Sequence, residues 1–411
     1  MFRLTYKNSL ISLLSIFLYF SGASLALAAS EPERIYALLN TLVEREEIPG
    51  VAVVINRGGQ ADEYYAGRAD KDDPLALMQG QSGFQIGSVS KLYTAVLILN
   101  AIDMGRFTLD DKIKDFTAKS FDGRNIANFQ EITFRHVFES TTGLADIHGT
   151  SLLQDVFLNN KCLVDENEVA AYAYDLPAMH KAGQGFGYGS LSYVLLGSVL
   201  KNIYAESDLE KIYETQLFAP LGLTETSFYK EKLAQMSYGV ERYSGMLPIT
   251  NASKIWTGCM RSSAGGLVTT ARDLDKFLDA LFRKKTVLSP TWLSYAMSKT
   301  ALPQQTGHGV EIWPSDFGMA YGHKGRFPGF IAAGYYFPEH DTTISVLSNS
   351  GLAETDKILD VLARIEFSDN DIPTADMEFV KTSYRDEIKD VGAGHQEPIL
   401  ALPITDMPPL K

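Results

Sequence analysis

Ser88-Val89-Ser90-Lys91 sets a hydroxyl and an amine three residues apart. On a helix such residues share one face, with Cβ atoms about 5–6 Å apart. A serine hydroxyl is a weak nucleophile until a base takes its proton. A desolvated lysine can be that base, or can hold the site positive. Ser88 also opens the apolar run Leu92, Val96, Leu99 and Ile102, and the N-terminus of a helix favours developing negative charge. Alone, the pattern fits a helix N-cap as well, and it recurs at Ser227-Phe228-Tyr229-Lys230.

Two further segments carry matching chemistry. Residues 186–193 place Tyr188 in a glycine-rich loop before a helix-like run, with Ser190 two residues on. A loop tyrosine can act as a general base when a neighbouring cation favours its phenolate; the alternative is a packing tyrosine with its hydroxyl bonded. Residues 321–329 contain His323-Lys324-Gly325-Arg326 just ahead of expected strands. A glycine-rich strand entry admits close approach of a substrate backbone, and its N–H groups can bind an oxyanion. The plainer alternative is a tight turn with His323 on the surface. The seven histidines are scattered, with no H-E-x-x-H, C-x-x-C or G-x-S-x-G and no phosphate-binding glycine loop, so neither metal nor cofactor is expected.

The elements that must hold these residues follow from periodicity. Ser30-x-x-Glu33 reads as a capping box, followed by Ile35, Leu38, Leu39 and Leu42 at helical spacing. Residues 50–55 form a β-branched run, residues 57–59 a turn and residues 63–65 the returning strand. Towards the other end, residues 329–337 and 342–347 read as strands around a Pro-Glu-His-Asp turn, and Ile358, Val361, Leu362 and Ile365 as the buried stripe of a last helix. Strands at both ends and helices between, over about residues 90–300, predict an α+β fold. Both ends of the chain would build one antiparallel sheet, flanked by helices, around an inserted helical region.

Composition narrows the partners. A net charge of −13 over 411 residues argues against nucleic acid. Arg3 and Lys7, the apolar run 10–20 and Ala26-Leu27-Ala28 read as a cleavable signal peptide over residues 1–28. That implies a periplasmic or secreted protein with no stable membrane span after cleavage. An oxidising compartment permits a disulfide between Cys162 and Cys259; two separate buried thiols fit equally. The hydrolase domain is expected over residues 30–367, and residues 368–411 read as an acidic, proline-containing tail.

In order along the chain, Ser88-x-x-Lys91, Tyr188-x-Ser190 and His323-Lys324-Gly325 resemble the three motifs of serine β-lactamases and D,D-peptidases, most closely the class C β-lactamase and D-alanyl-D-alanine carboxypeptidase branch. Residues 132–137 with 142–144, 217–224 and 264–274 resemble connecting segments of that family. The resemblance implies a β-lactamase-like fold, an acyl-enzyme at Ser88 and a small-molecule or peptide substrate. Lys91 would assist proton transfer and Tyr188 would serve as base. Ser190, His323, Lys324, Gly325 and Arg326 would line the substrate, with the N–H groups of Ser88 and Arg326 as the oxyanion hole. Two departures stand out: Ser190 replaces the usual Asn, and His323 the common Lys. The expected activity is therefore a D-alanyl-D-alanine carboxypeptidase or related peptidase. An esterase is the alternative, followed by a β-lactamase or a non-catalytic penicillin-binding sensor.

Overall fold

The computed structural model describes residues 30–44, 48–123, 125–148, 150–157, 159, 161–240, 258–301, 306–351 and 353–368. The expected signal peptide, and the expected tail beyond Ser368, lie outside the described residues. Among those described, no helix is long and apolar enough to cross a membrane.

Among the described residues, nine strands form two sheets. In chain order they are β1 (Gly50–Arg57), β2 (Gln60–Gly67), β3 (Ser82–Gln85), β4 (Gln235–Met236), β5 (Val268–Thr269), β6 (Glu311–Ser315), β7 (Gly318–Phe327), β8 (Phe330–Phe337) and β9 (Thr342–Ser348). The large antiparallel sheet runs β2-β1-β9-β8-β7-β6, and the small one β4-β3-β5. β1 therefore lies beside β9, with Val53 opposite Val346, so the two ends of the chain meet in mid-sheet as expected. Gly58 and Gly59 turn the β1–β2 hairpin with φ of 57° and 99°, values a β-branched residue resists.

The central strands β1, β8 and β9 of the large sheet are buried on both faces. Val51, Val53 and Ile55 of β1 share one face with Ala333, Tyr335, Ile344 and Val346. This face is covered by the Glu31–Val43 and Thr355–Phe367 helices through Ile35, Leu38, Leu39, Leu42, Ile358, Leu362 and Ile365. Ala52, Val54, Ala332 and Leu347 point the other way, into the core shared with the helical region. Strands enclosed on both sides read as unbroken apolar runs rather than alternating ones, which explains the β-branched run in β1. Gly334 admits the Ala271–Leu278 helix onto the inner face: a Cβ there would lie 2.6 Å from Leu278 Cδ1.

One expectation changes. Residues 321–327 are the last seven of the ten residues of strand β7, not an approach to a strand; the buried His323 rules out the alternative that placed it on the surface. The tight turn comes after them, at Pro328 and Gly329, where Gly329 has φ of 85°.

Candidate active site

Ser88 sits in a single 3-10 turn, Gly87–Val89, between β3 and the Ser90–Asp103 helix. The N-cap of that helix is Val89, so the Ser88 hydroxyl does not cap it. It accepts instead from Lys91 Nζ at 2.8 Å. Two glycines bring this turn against β7. Gly87 has φ of 51°, and a Cβ there would meet Arg326 O at 2.3 Å; a Cβ on Gly325 would lie 2.1 Å from Ile86 O and 2.8 Å from Ser88 N. Any side chain at either position would push the strand off the serine.

Lys91 is 1% exposed. Its ammonium reaches Ser88 Oγ at 2.8 Å, Ala264 O at 2.8 Å and Ser190 Oγ at 3.2 Å. These three acceptors match the three donors of an ammonium, which is how a charge this deep is tolerated. The Ala264 carbonyl belongs to an arch over residues 262–267 that is tied down at several points. Thr94 Oγ1 donates to Ser263 O at 2.6 Å, and Leu267 N donates to Ser90 Oγ at 3.2 Å. The fully buried Glu166 accepts from Ser263 N at 3.0 Å and from Ser263 Oγ at 2.6 Å. Burial pushes its carboxyl up to about 7, with the Ser263 bonds opposing. Gly197 leaves room for it: a Cβ there would lie 2.2 Å from Glu166 Oε1.

Tyr188 borders the cleft 40% exposed, its ring centroid 5.1 Å from Lys91 Nζ. Its loop rests on the 140–143 segment through Gly187 N to Ser140 O, Gly183 N to Thr141 O and Met179 N to Gly143 O, each 2.8 Å. Gly143 needs its φ of +64°, and a Cβ there would strike His180 O at 2.0 Å. Ser190 is the first residue of the Ser190–Ile203 helix; Gly189 is the N-cap and makes no side-chain cap. The buried Ser190 hydroxyl is thus turned to Lys91.

The far wall is β7. β6 pairs only with Gly318 to Gly322, and the rest of β7 runs along a cleft of about 840 Å³ lined by Ser88, Tyr188, Ser190, His323, Gly325 and Arg326. Lys324 lines it too, but its Nζ lies 2.9 and 3.1 Å from the two Asp356 carboxylate oxygens. Burial pulls Lys324 down, and the Glu311 and Asp356 carboxylates outweigh that and raise it. Burial holds His323 below the ordinary imidazole range; Glu311 opposes this and Lys91 adds to it. Its Nδ1 is 2.5 Å from Lys324 O.

All eight candidate residues therefore converge on one place. The second S-x-x-K match does not: Ser227 is buried and donates to Glu210 Oε1 at 2.8 Å. Sequence reading missed Ala264, Glu166, Glu311 and Asp356 as parts of the site. The only hint was Gly197 within an apolar helix, which marks a close neighbour. Cys162 and Cys259 form a disulfide, which ties the 161–165 strip to the start of the arch next to Leu163 N–Cys259 O at 2.7 Å. Among the described residues no group of three or more His, Cys, Asp or Glu could hold a metal.

A buried lysine against a serine in a 3-10 turn, faced by a loop tyrosine and a glycine-bearing strand edge, on a sheet closed by both chain ends, defines a serine hydrolase of the penicillin-recognising class. The chain belongs to the Beta-lactamase family, whose model matches residues 36–366. It is 23% identical over 331 residues to penicillin-binding protein 4 of Amycolatopsis lactamdurans, covering 76% of this chain and 84% of that one. It is 24% identical over 344 residues to penicillin-binding protein 4* of Bacillus subtilis (strain 168), covering 77% and 71%. In fold it is similar to the D-amino acid amidase of Ochrobactrum anthropi SV3 solved with D-phenylalanine, with TM-score 0.69 and 19% identity over 83% of this chain and 99% of that one. The octameric penicillin-binding protein homologue of Pyrococcus abyssi gives TM-score 0.73 and 21% identity over 87% and 81%.

Proposed function

We propose that the chain is an exported acyl-enzyme hydrolase that cleaves the amide bond following a D-alanyl-type residue, in peptidoglycan-type peptides or related amides. The observation that carries this is the position of Lys91 Nζ, 2.8 Å from Ser88 Oγ and held by Ser190 Oγ and Ala264 O. With its three donors turned to three acceptors, the ammonium orients Ser88 and leaves the hydroxyl proton to another group. Tyr188, at the mouth of the cleft, takes that proton as Ser88 Oγ attacks the carbonyl, and returns it to the departing amine. The N–H groups of Ser88 and Arg326, brought together by Gly87 and Gly325, stabilise the oxyanion. Water then releases the acyl group from Ser88.

Penicillin-binding relatives and a D-amino acid amidase neighbour support the amide reading. The Cys162–Cys259 bond supports export, since such bonds persist in oxidising compartments. Ser190 favours a second reading, an esterase: its hydroxyl is turned to Lys91 rather than to a substrate amide, and esters need less anchoring than amides. An activated acyl ester or a β-lactam tests the core of the proposal. Mass spectrometry is expected to find the acyl group on the Ser88 peptide, and Ser88→Ala to abolish it while Ser227→Ala does not. Full labelling of Ser88→Ala removes the assignment.

A further inference from the structure

The β7 end of the cleft holds a small cluster outside the acylation chemistry. Glu311 on β6 accepts from Lys324 N at 2.9 Å and from Tyr335 OH at 2.8 Å, both at Oε2. Its carboxylate lines the cleft, about a quarter exposed, at 27%. Lys324 Nζ is 3.9 Å from Glu311 Oε1 but sits on Asp356, at the start of the Thr355–Phe367 helix. The lysine at this end of the cleft therefore already has its counter-ions.

His323 completes the cluster. Its Nδ1 lies 2.5 Å from Lys324 O and 3.9 Å from Glu311 Oε2. A carbonyl oxygen only accepts, so the proton of the ring is on Nδ1, and in a neutral imidazole the other nitrogen, Nε2, is a bare acceptor. Burial and Lys91 both keep the ring neutral, against Glu311. No charged donor is then offered by His323. A carboxylate placed here would meet an acceptor nitrogen, the Glu311 carboxylate and a lysine already paired. A carboxamide or hydroxyl would find acceptors for its protons.

We propose that His323 and Glu311 make the β7 end of the cleft an acceptor-lined subsite, which selects substrates presenting an N–H or O–H donor there, such as a terminal carboxamide, over those ending in a free carboxylate. This rests on the cleft being the substrate site of the hydrolase described above. It narrows the sequence expectation of a carboxypeptidase towards an amidase or endopeptidase-like leaving group. Arg326 and Lys357 also line the cleft; if either captured a carboxylate, the acid would bind better than the amide.

The test compares N-acetyl-D-alanyl-D-alanine with its C-terminal carboxamide, by calorimetry on Ser88→Ala protein at neutral pH, so that binding is read without turnover. The carboxamide is expected to bind roughly 10-fold more tightly, the scale of a gained hydrogen bond plus a relieved repulsion. Adding His323→Lys is expected to reverse the order, and Glu311→Gln to narrow it. His323→Gln, a neutral replacement that can donate, is a second variant expected to narrow the preference if the lysine protein folds poorly. Equal affinities, tighter binding of the acid, or no binding of either ligand overturns the proposal. Acyl labelling of wild-type Ser88 is scored separately. Labelled Ser88 with acid preference sinks the subsite alone, and unlabelled Ser88 sinks the hydrolase reading.

Discussion

Each end of the cleft carries a lysine, and the two neighbourhoods treat the same side chain differently. Lys91 is enclosed by protein, and its ammonium donates to two hydroxyls and a backbone carbonyl, while its charge also reaches the Asp146 carboxylate and helps hold it down. Lys324 is half exposed and carries its charge against Asp356 and Glu311. Hydrogen bonds to neutral dipoles leave much of a cation's field available to a nearby developing anion. A cation paired with carboxylates has most of its field cancelled, and solvent screens the rest. Residue type alone does not distinguish an acylation lysine from a surface ion pair; the acceptors around it do.

The comparison breaks most easily at the lysines themselves. Lys91→Met is expected to lower turnover of an activated ester by roughly 10⁴-fold, the scale of losing one member of a catalytic unit. Lys324→Met should change the same rate by less than about threefold and stability by at most about 1 kcal/mol, as for an exposed pair. Steady-state kinetics and chemical denaturation read both, and comparable losses in the two variants would erase the distinction. Next in size, Tyr188→Phe keeps the ring beside Lys91 and removes the phenol. A loss in kcat of roughly 10²–10⁴-fold is expected for a general base, with little change in affinity for an unreactive ligand; a loss below about threefold would return Tyr188 to packing.

The smallest effect sharpens the account of the arch that supports Lys91. Glu166 has its folded-state pKa raised from 4.5 to about 7 by burial. The folded protein therefore holds that proton more tightly than the unfolded chain. Its contribution is fully present below about pH 4.5 and is lost as the pH rises through about 7, on the order of 3 kcal/mol in total. Asp275, raised to about 6 by burial against its bonds to Thr343 and Asn56, adds a slope of the same sign. Glu166→Gln keeps an acceptor for Ser263 and removes one titration, leaving that of Asp275. Urea denaturation across this range should show the variant gaining on wild type as the pH rises; parallel curves would mean that Glu166 stays ionised throughout.

The sheet was largely legible before the structure. β1, β2, β8 and β9 fall within two or three residues of the expected strands, and both terminal helices bury the expected stripes. These segments are long and their burial is periodic, so local pattern and final environment agree. In sequence β7 reads as a strand entry, because Gly322, Gly325 and the polar His323 and Lys324 between them lower its strand propensity. Those glycines are there for close backbone contacts, with Gly334 O and with the Ser88 turn. The reactive residues were legible for a related reason: Ser88 and Lys91 are helical neighbours, and one turn of chain fixes their approach.

Their partners were not legible. Ala264 contributes a backbone carbonyl, which every residue possesses, and Glu166 is one acidic residue among many. Ser190 meets Lys91 Nζ across ninety-nine residues of chain, so its bond depends on how the two helices pack. The pairing of Lys324 with Asp356, thirty-two residues away, depends on how the last helix meets the sheet. The elements, the serine–lysine spacing and the order of the motifs follow from the chain alone, because they depend on contacts a few residues apart and on the alternation of apolar side chains. Which charges are spent, which nitrogen of His323 carries its proton and which carbonyl holds Lys91 were decided only by the tertiary structure, because each depends on an atom brought from a distant part of the chain.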